Sequence, residues 1–189
     1  EFHKSVTVES FKNIDFGSNF IVTIKHGDKT SVDIYSNDQK ELDNIEAKVK
    51  GSSLEIEYDD PFRDHDSEVH IYIVTNTLEN LDISGAAKAK ILGFENLNDL
   101  NVELSGASQV AMDIISKTLD INASGASQLI TKGSAIAMKA NLSGASQLDA
   151  KGLKVEKADV EAHGASVAKL SKIKDLRSDT SGGSVIERD

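Results

Sequence analysis

The sequence predicts an all-β fold, a right-handed parallel β-helix (β-solenoid) with rungs of about 20 residues and Ser-Gly-Ala corners. Three observations carry this. The triplet recurs as Ser84-Gly85-Ala86, Ser105-Gly106-Ala107, Ser124-Gly125-Ala126 and Ser143-Gly144-Ala145, with degenerate copies at His163-Gly164-Ala165 and Ser181-Gly182-Gly183. Its glycines, Gly85, Gly106, Gly125, Gly144, Gly164 and Gly182, are spaced by 21, 19, 19, 20 and 18 residues. Around them apolar residues alternate with period two, as in a strand with one buried face. A unit this short cannot bury that face alone and must stack on its neighbours. Glycine and serine in every turn, with period two, also exclude a helical repeat.

Residues 1–77 show the same alternation without the triplet: Phe20, Val22 and Ile24, then Val32 and Ile34, Leu54 and Ile56, and Val69, Ile71 and Ile73. Turn signals at His26-Gly27-Asp28, Gly51-Ser52-Ser53 and Pro61 separate these runs. No linker divides them from the repeats. We therefore expect a single β-solenoid domain over residues 1–189, with 1–77 an irregular N-terminal β part and 78–189 the regular repeats; a separate small β-sandwich is the alternative.

Within a repeat, inward positions fall six, four and two residues before the glycine, as at Leu119, Ile121 and Ala123, and resume four and six after it, as at Val110 and Met112. The glycine is expected to turn the corner with a positive φ. The alanine after it is expected to fill the inside of the bend, and the serine before it to tie off backbone groups. Gly93, Gly133 and Gly152 mark a second turn. Equivalent strands then stack in parallel about 4.8 Å apart. The polar tail Glu187-Arg188-Asp189 suits an exposed terminal edge.

Composition narrows the function. The net charge of −10 and the absence of a basic run argue against nucleic acid or an anionic membrane as partner. With no cysteine there is neither a disulfide framework nor a thiolate site. No stretch approaches the roughly 18 apolar residues of a membrane span. The chain opens Glu1-Phe2-His3 without an initiator methionine, as a mature exported form or a trimmed chain would.

The clearest surface candidate is a pair of columns just past the corner, Ser108, Ser127 and Ser146 beside Gln109, Gln128 and Gln147. Stacked amides can form a stabilising ladder; the same ladder could dock a sugar chain. A second column, Asp82, Glu103, Asn122, Asn141, Glu161 and Asp179, stacks acids against one another. Hard cations need six to eight convergent oxygens, which a straight column does not supply, so no metal site is expected. The segment from Asp59 to Glu68 reads as a solvated loop, and His65 and His70 lack the helical spacing of a zinc motif. His163 replaces a corner serine and has no evident nucleophile partner. No catalytic residue and no cofactor are expected.

With its Ser-Gly-Ala-Ser corners in register and its Phe11-Lys12-Asn13-Ile14 opening before the Val22-Thr23-Ile24 strand, the chain resembles the family of putative auto-transporter adhesins with a head GIN domain, known from Bacteroidetes cell-envelope proteins. The resemblance covers nearly the whole chain. It implies an exported β-helix, periplasmic or attached to the outer membrane or cell surface. The function expected is a non-enzymatic adhesin or scaffold, with a polysaccharide or another envelope protein as partner. The alternative is a polysaccharide-active lyase or hydrolase.

Overall fold

The computed structural model describes residues 1–62 and 64–189, and is a β-solenoid built around one 15-stranded sheet. Its regular part consists of β8 (Asn80–Ile83), β9 (Lys88–Leu104), β10 (Gln109–Ala123), β11 (Gln128–Leu142), β12 (Gln147–Ala162), β13 (Val167–Leu170), β14 (Asp175–Thr180) and β15 (Val185–Arg188). These stack in parallel and in chain order, with Val110 between Ala89 and Leu129 and Ile121 between Val102 and Ala140. The periodic positions identified in the sequence are the core: Leu119, Ile121, Met138, Ala140, Leu148 and Val160 are all buried.

β9 to β12 run for 15–17 residues each because the strand follows the coil around its bends without losing its pairing. The second turn is therefore a bend inside a strand. Gly93 and Gly133 make it with φ of 83° and 102°. Gly152 does not use a positive φ; there the register between β11 and β12 shifts between Ile130 and Lys132, which absorbs the longer coil.

The first 77 residues hold β1 (Phe2–Val6), β2 (Asn13–Phe16), β3 (Ile21–His26), β4 (Ser31–Ser36), α1 (Gln39–Asp43), β5 (Ile45–Lys50), β6 (Ser53–Tyr58) and β7 (Val69–Thr75). Their stacking departs from chain order. β2 and β3 form a coil whose corner is Gly17-Ser18-Asn19, with Ser18 at φ 58° where later coils have glycine. The Ala86 N–H donates to the Ser18 carbonyl, the bond that each later corner repeats. β8 and β9 stack on one side of this coil, and β6 and β7, which come later than it in sequence, stack on the other. Beyond them β5 pairs antiparallel with β6, β4 with β7 and β1 with β4. Antiparallel strands thus close this end, where a bare parallel edge would invite further pairing.

The two ends differ in the core as well. Phe11, Phe16 and Phe20 fill the N-terminal coils, whereas Ala140, Ala150, Ala162 and Ala168 line the later ones. In the last coil β14 and β15 are almost wholly exposed, with only Leu176 and Ile186 half-buried inside.

Candidate functional site

The corner orients everything around it. Gly125 takes φ 70°, and a Cβ built on it would lie 2.5 Å from the Gly106 carbonyl oxygen of the previous coil. That carbonyl accepts the Ala126 N–H at 2.7 Å. Glycine is thus needed twice, for the left-handed backbone and for the close stacking of one corner on the next. The corner keeps the side-chain phase and turns only the glycine's own position out of the inward series. The residue two before glycine points in, the next three point out, and the residue two after glycine is the first to point in again.

This corrects two expectations. Ala107, Ala126 and Ala145 are exposed and do not fill the bend. Ser108, Ser127 and Ser146 are fully buried and cannot form a binding surface. The Ser127 hydroxyl donates to the Ser124 carbonyl at 2.8 Å, and Ser146 does the same to Ser143 at 2.7 Å. The serine that ties off the corner is therefore mainly the one after it. Ser124 and Ser143 make longer bonds, 3.3 and 3.5 Å, to carbonyls of the preceding coil.

Gln109, Gln128 and Gln147 do stand outward in one column, paired in register. Among the described residues no hydrogen bond joins their amides; the amide ladder lies elsewhere, at Asn141 to Asn122 (3.0 Å) and Asn80 to Asn13 (2.7 Å). The glutamines occupy the middle of a continuous face running β1-β4-β7-β3-β9-β10-β11-β12-β13-β15. Followed from the N-terminal end, their column reads His3, Tyr35, His70, Ile21, Lys88, then the glutamines. The parallel column reads Ser5, Asp33, Tyr72, Thr23, Lys90, Ala111 and Ile130.

At the N-terminal end this face is aromatic. His3 stacks on Tyr35 at 4.4 Å between ring centroids, and Tyr35 meets Tyr72 edge-on at 5.6 Å, leaving Tyr72 45% exposed. Asp33 beside them accepts from Ser5 and pairs with His3; chiefly the Ser5 hydrogen bond holds its carboxyl below the usual value. Sequence reasoning missed these aromatics. Alternation through Val69-His70-Ile71-Tyr72-Ile73 puts His70 and Tyr72 outward, but their neighbours follow from stacking out of chain order.

The acidic column is longer than the sequence showed. Asp15 stacks between Glu55 and Asp82, and the series continues through Glu103. Burial and then the charges of Asp82, Glu55 and Glu57 raise the Asp15 carboxyl above its usual value. Among the described residues no group of three or more His, Cys, Asp or Glu side chains is placed to hold a metal ion.

His65 is tied into the fold. His65 is mostly buried against Tyr58, the rings stacked at 3.5 Å, with Nδ1 2.8 Å from Glu41 Oε1 and Nε2 2.9 Å from the Asp60 carbonyl. Burial, with the Glu41 charge adding to it, pushes the Tyr58 phenol up. Asp60 and His65, within the segment read as a solvated loop, are thus anchored; Arg63 lies outside the described residues. His163 Nδ1 lies 2.7 Å from Ser181 Oγ, a serine the sequence did not connect to it, while Glu161 is 3.9 Å from Nε2. That constellation is solvent-exposed, and the Gly183 amide beside it is already donated to Gly164. It lacks the buried orienting acid that acyl-transfer chemistry needs.

A family model described as "Putative auto-transporter adhesin, head GIN domain" matches residues 10–188. Among solved structures, a putative adhesin from Bacteroides fragilis superposes with a TM-score of 0.85 at 17% identity, over 100% of this chain and 96% of the other. A putative lipid binding protein from Parabacteroides distasonis gives 0.77 at 13% identity, over 100% and 96%. A putative adhesin from Parabacteroides merdae gives 0.69 at 13%, over 100% and 95%. These likenesses show the fold. No curated protein matches the sequence.

Proposed function

The chain belongs to the family of putative auto-transporter adhesins with a head GIN domain, and from that premise we propose that it is a non-enzymatic cell-envelope protein, one solenoid domain over 1–189, that presents a rigid face to a surface polymer or partner. The observation that carries this is the continuous ten-strand face, fixed by backbone pairing along its whole length. Rigid presentation lowers the entropy lost on binding. No helix is long and apolar enough to cross a membrane. Binding of the purified protein to a polysaccharide panel and to intact envelopes, without turnover, is the expected result; turnover of a polysaccharide without stable binding would overturn the reading.

One observation favours a second reading. A groove of about 600 Å³ runs past Leu97, Ile115, Ile136 and Val155, with Lys117 and Lys154 at its edges. Ile115 and Ile136 are 43% and 48% exposed. The apolar walls suit an amphiphile, Lys117 and Lys154 being matched in number by Glu95 and Glu156 in the same lining, and a structural relative is described as a putative lipid binding protein. Displacement of a fluorescent fatty acid from the wild type but not from Ile115→Asn/Ile136→Asn would support it.

A further inference from the structure

Resting on the binding role proposed above, we infer that the ligand is an acidic polysaccharide, a polymer of carboxylate-bearing sugars, held across β7-β3-β9-β10-β11 by Tyr72, Lys88, Lys90, Gln109 and Gln128. A shallow trough of about 390 Å³ crosses β3-β9-β10-β11, lined by Thr23, Lys88, Lys90, Gln109, Ala111 and Gln128, and Tyr72 on β7 stands next to Thr23 in register at its end. Small side chains in register with Tyr72, Lys90 and Ile130 make the depression, because the pairing holds every Cβ at nearly one height.

Charge selects the ligand. The chain carries a net charge of −10, yet the two outward columns hold no carboxylate on these five strands. Lys88 and Lys90, two residues apart on β9, point to the same side. Among the described residues neither has a carboxylate within ion-pairing distance. Towards β1 the nearest acid in these columns, Asp33, is engaged by Ser5 and His3; towards β15 the next is Asp149 on β12. A pair of unpaired ammoniums on an otherwise acidic molecule is a local anion site.

The remaining groups suit sugars. Tyr72 is held edge-on by Tyr35 and nearly half exposed, an apolar ring against which the C–H face of a pyranose can lie. Gln109 and Gln128 each present a donor and an acceptor to hydroxyls. Successive coils offer one such position about every 4.8 Å along the axis, so an extended chain of sugars meets a new contact at each coil. Nucleic acid would need many more cations than two.

Calorimetric titration of the whole chain with polygalacturonate, alginate and hyaluronan oligomers, against methyl-esterified polygalacturonate, tests this. At least one uronate polymer binds, at least tenfold tighter than the esterified control, and more weakly as salt rises. Lys88→Gln/Lys90→Gln weakens it at least tenfold, Tyr72→Ala about threefold or more, and Lys174→Gln, at an exposed lysine away from the trough, leaves it unchanged. Equal binding of the esterified polymer, or wild-type affinity in the double lysine variant, overturns the site while leaving the binding role intact. Stronger binding to phosphatidylglycerol vesicles or duplex DNA than to any uronate overturns the ligand class. Binding to none of these and to no envelope overturns both. Unchanged circular dichroism in the lysine variant shows that its loss is not misfolding.

Discussion

The coils after residue 78 and those before it solve the same packing problem in opposite ways. From β8 onward chain order and spatial order coincide, each corner rests on the last through one glycine carbonyl, and the core repeats small and aliphatic side chains. In the first 77 residues the coil of β6 and β7 is laid outside the coil of β2 and β3, and phenylalanines and a helix-bearing antiparallel cap fill the wider end. Local repetition specifies a solenoid cheaply in sequence terms; non-local stacking needs singular contacts. The proposed ligand trough sits on the seam, with Ile21 and Thr23 from one region and Lys88 to Gln128 from the other, and Tyr72 beside it.

Breaking a regular corner gives the largest effect. Gly125→Val combines a left-handed φ with a side chain driven into the Gly106 carbonyl, and should destabilise by about 4 kcal/mol, read by chemical denaturation. Stability within 1 kcal/mol of wild type would mean that the stack does not require glycine. In the irregular region the corresponding weak point is a side-chain clasp. Glu41→Ala leaves His65 Nδ1 buried without its hydrogen-bond partner and should cost about 2 kcal/mol, with early local loosening around Asp60 and His65 visible by hydrogen exchange.

The same corner position then separates the regions by sign. Ser18 already stands at φ 58°, so Ser18→Gly should stabilise by about 1 kcal/mol, while any side chain at Gly125 destabilises. Loss of stability in Ser18→Gly would show that the serine side chain supports the first corner. The smallest effect is electrostatic. The folded protein holds the Asp15 proton more tightly than the unfolded chain does, because of burial and then the charges of Asp82, Glu55 and Glu57. Stability from this group is fully present below the ordinary value of 3.8 and is lost as pH rises through the raised folded value. Asp15→Asn removes that loss, so it should be more stable than wild type by about 0.5 kcal/mol at neutral pH, with the difference vanishing below pH 3.8.

The solenoid and its inward positions were legible because each repeat states them again: Leu119, Ile121 and Ala123 mean little alone but recur one coil later as Met138, Ala140 and Leu142. The inside of the corner was not. Period-two counting from Gly125 puts Ser127 on the inward side with Ala123 and Leu129, but its polar side chain argued for the surface; it is buried, its hydroxyl donating to the Ser124 carbonyl. The first coil was hidden for a related reason, since Ser18 occupies the glycine's place and 67 residues separate it from Gly85. For the same reason Tyr72 could be assigned a face but not neighbours. Gln109 and Gln128, within the regular repeat, were legible as an outward column, which Lys88 continues three residues after Gly85; the aromatics beyond it come from strands outside the repeat.

Where ligand meets the protein is read directly by an NMR titration of the isotope-labelled chain with the tightest-binding uronate oligomer. Perturbed amides should cluster at Tyr72, Thr23, Lys88, Lys90, Gln109 and Gln128, across the seam between the two regions. Perturbations confined to the groove at Ile115 and Ile136, or to the acidic column from Asp15 to Glu103, would contradict it.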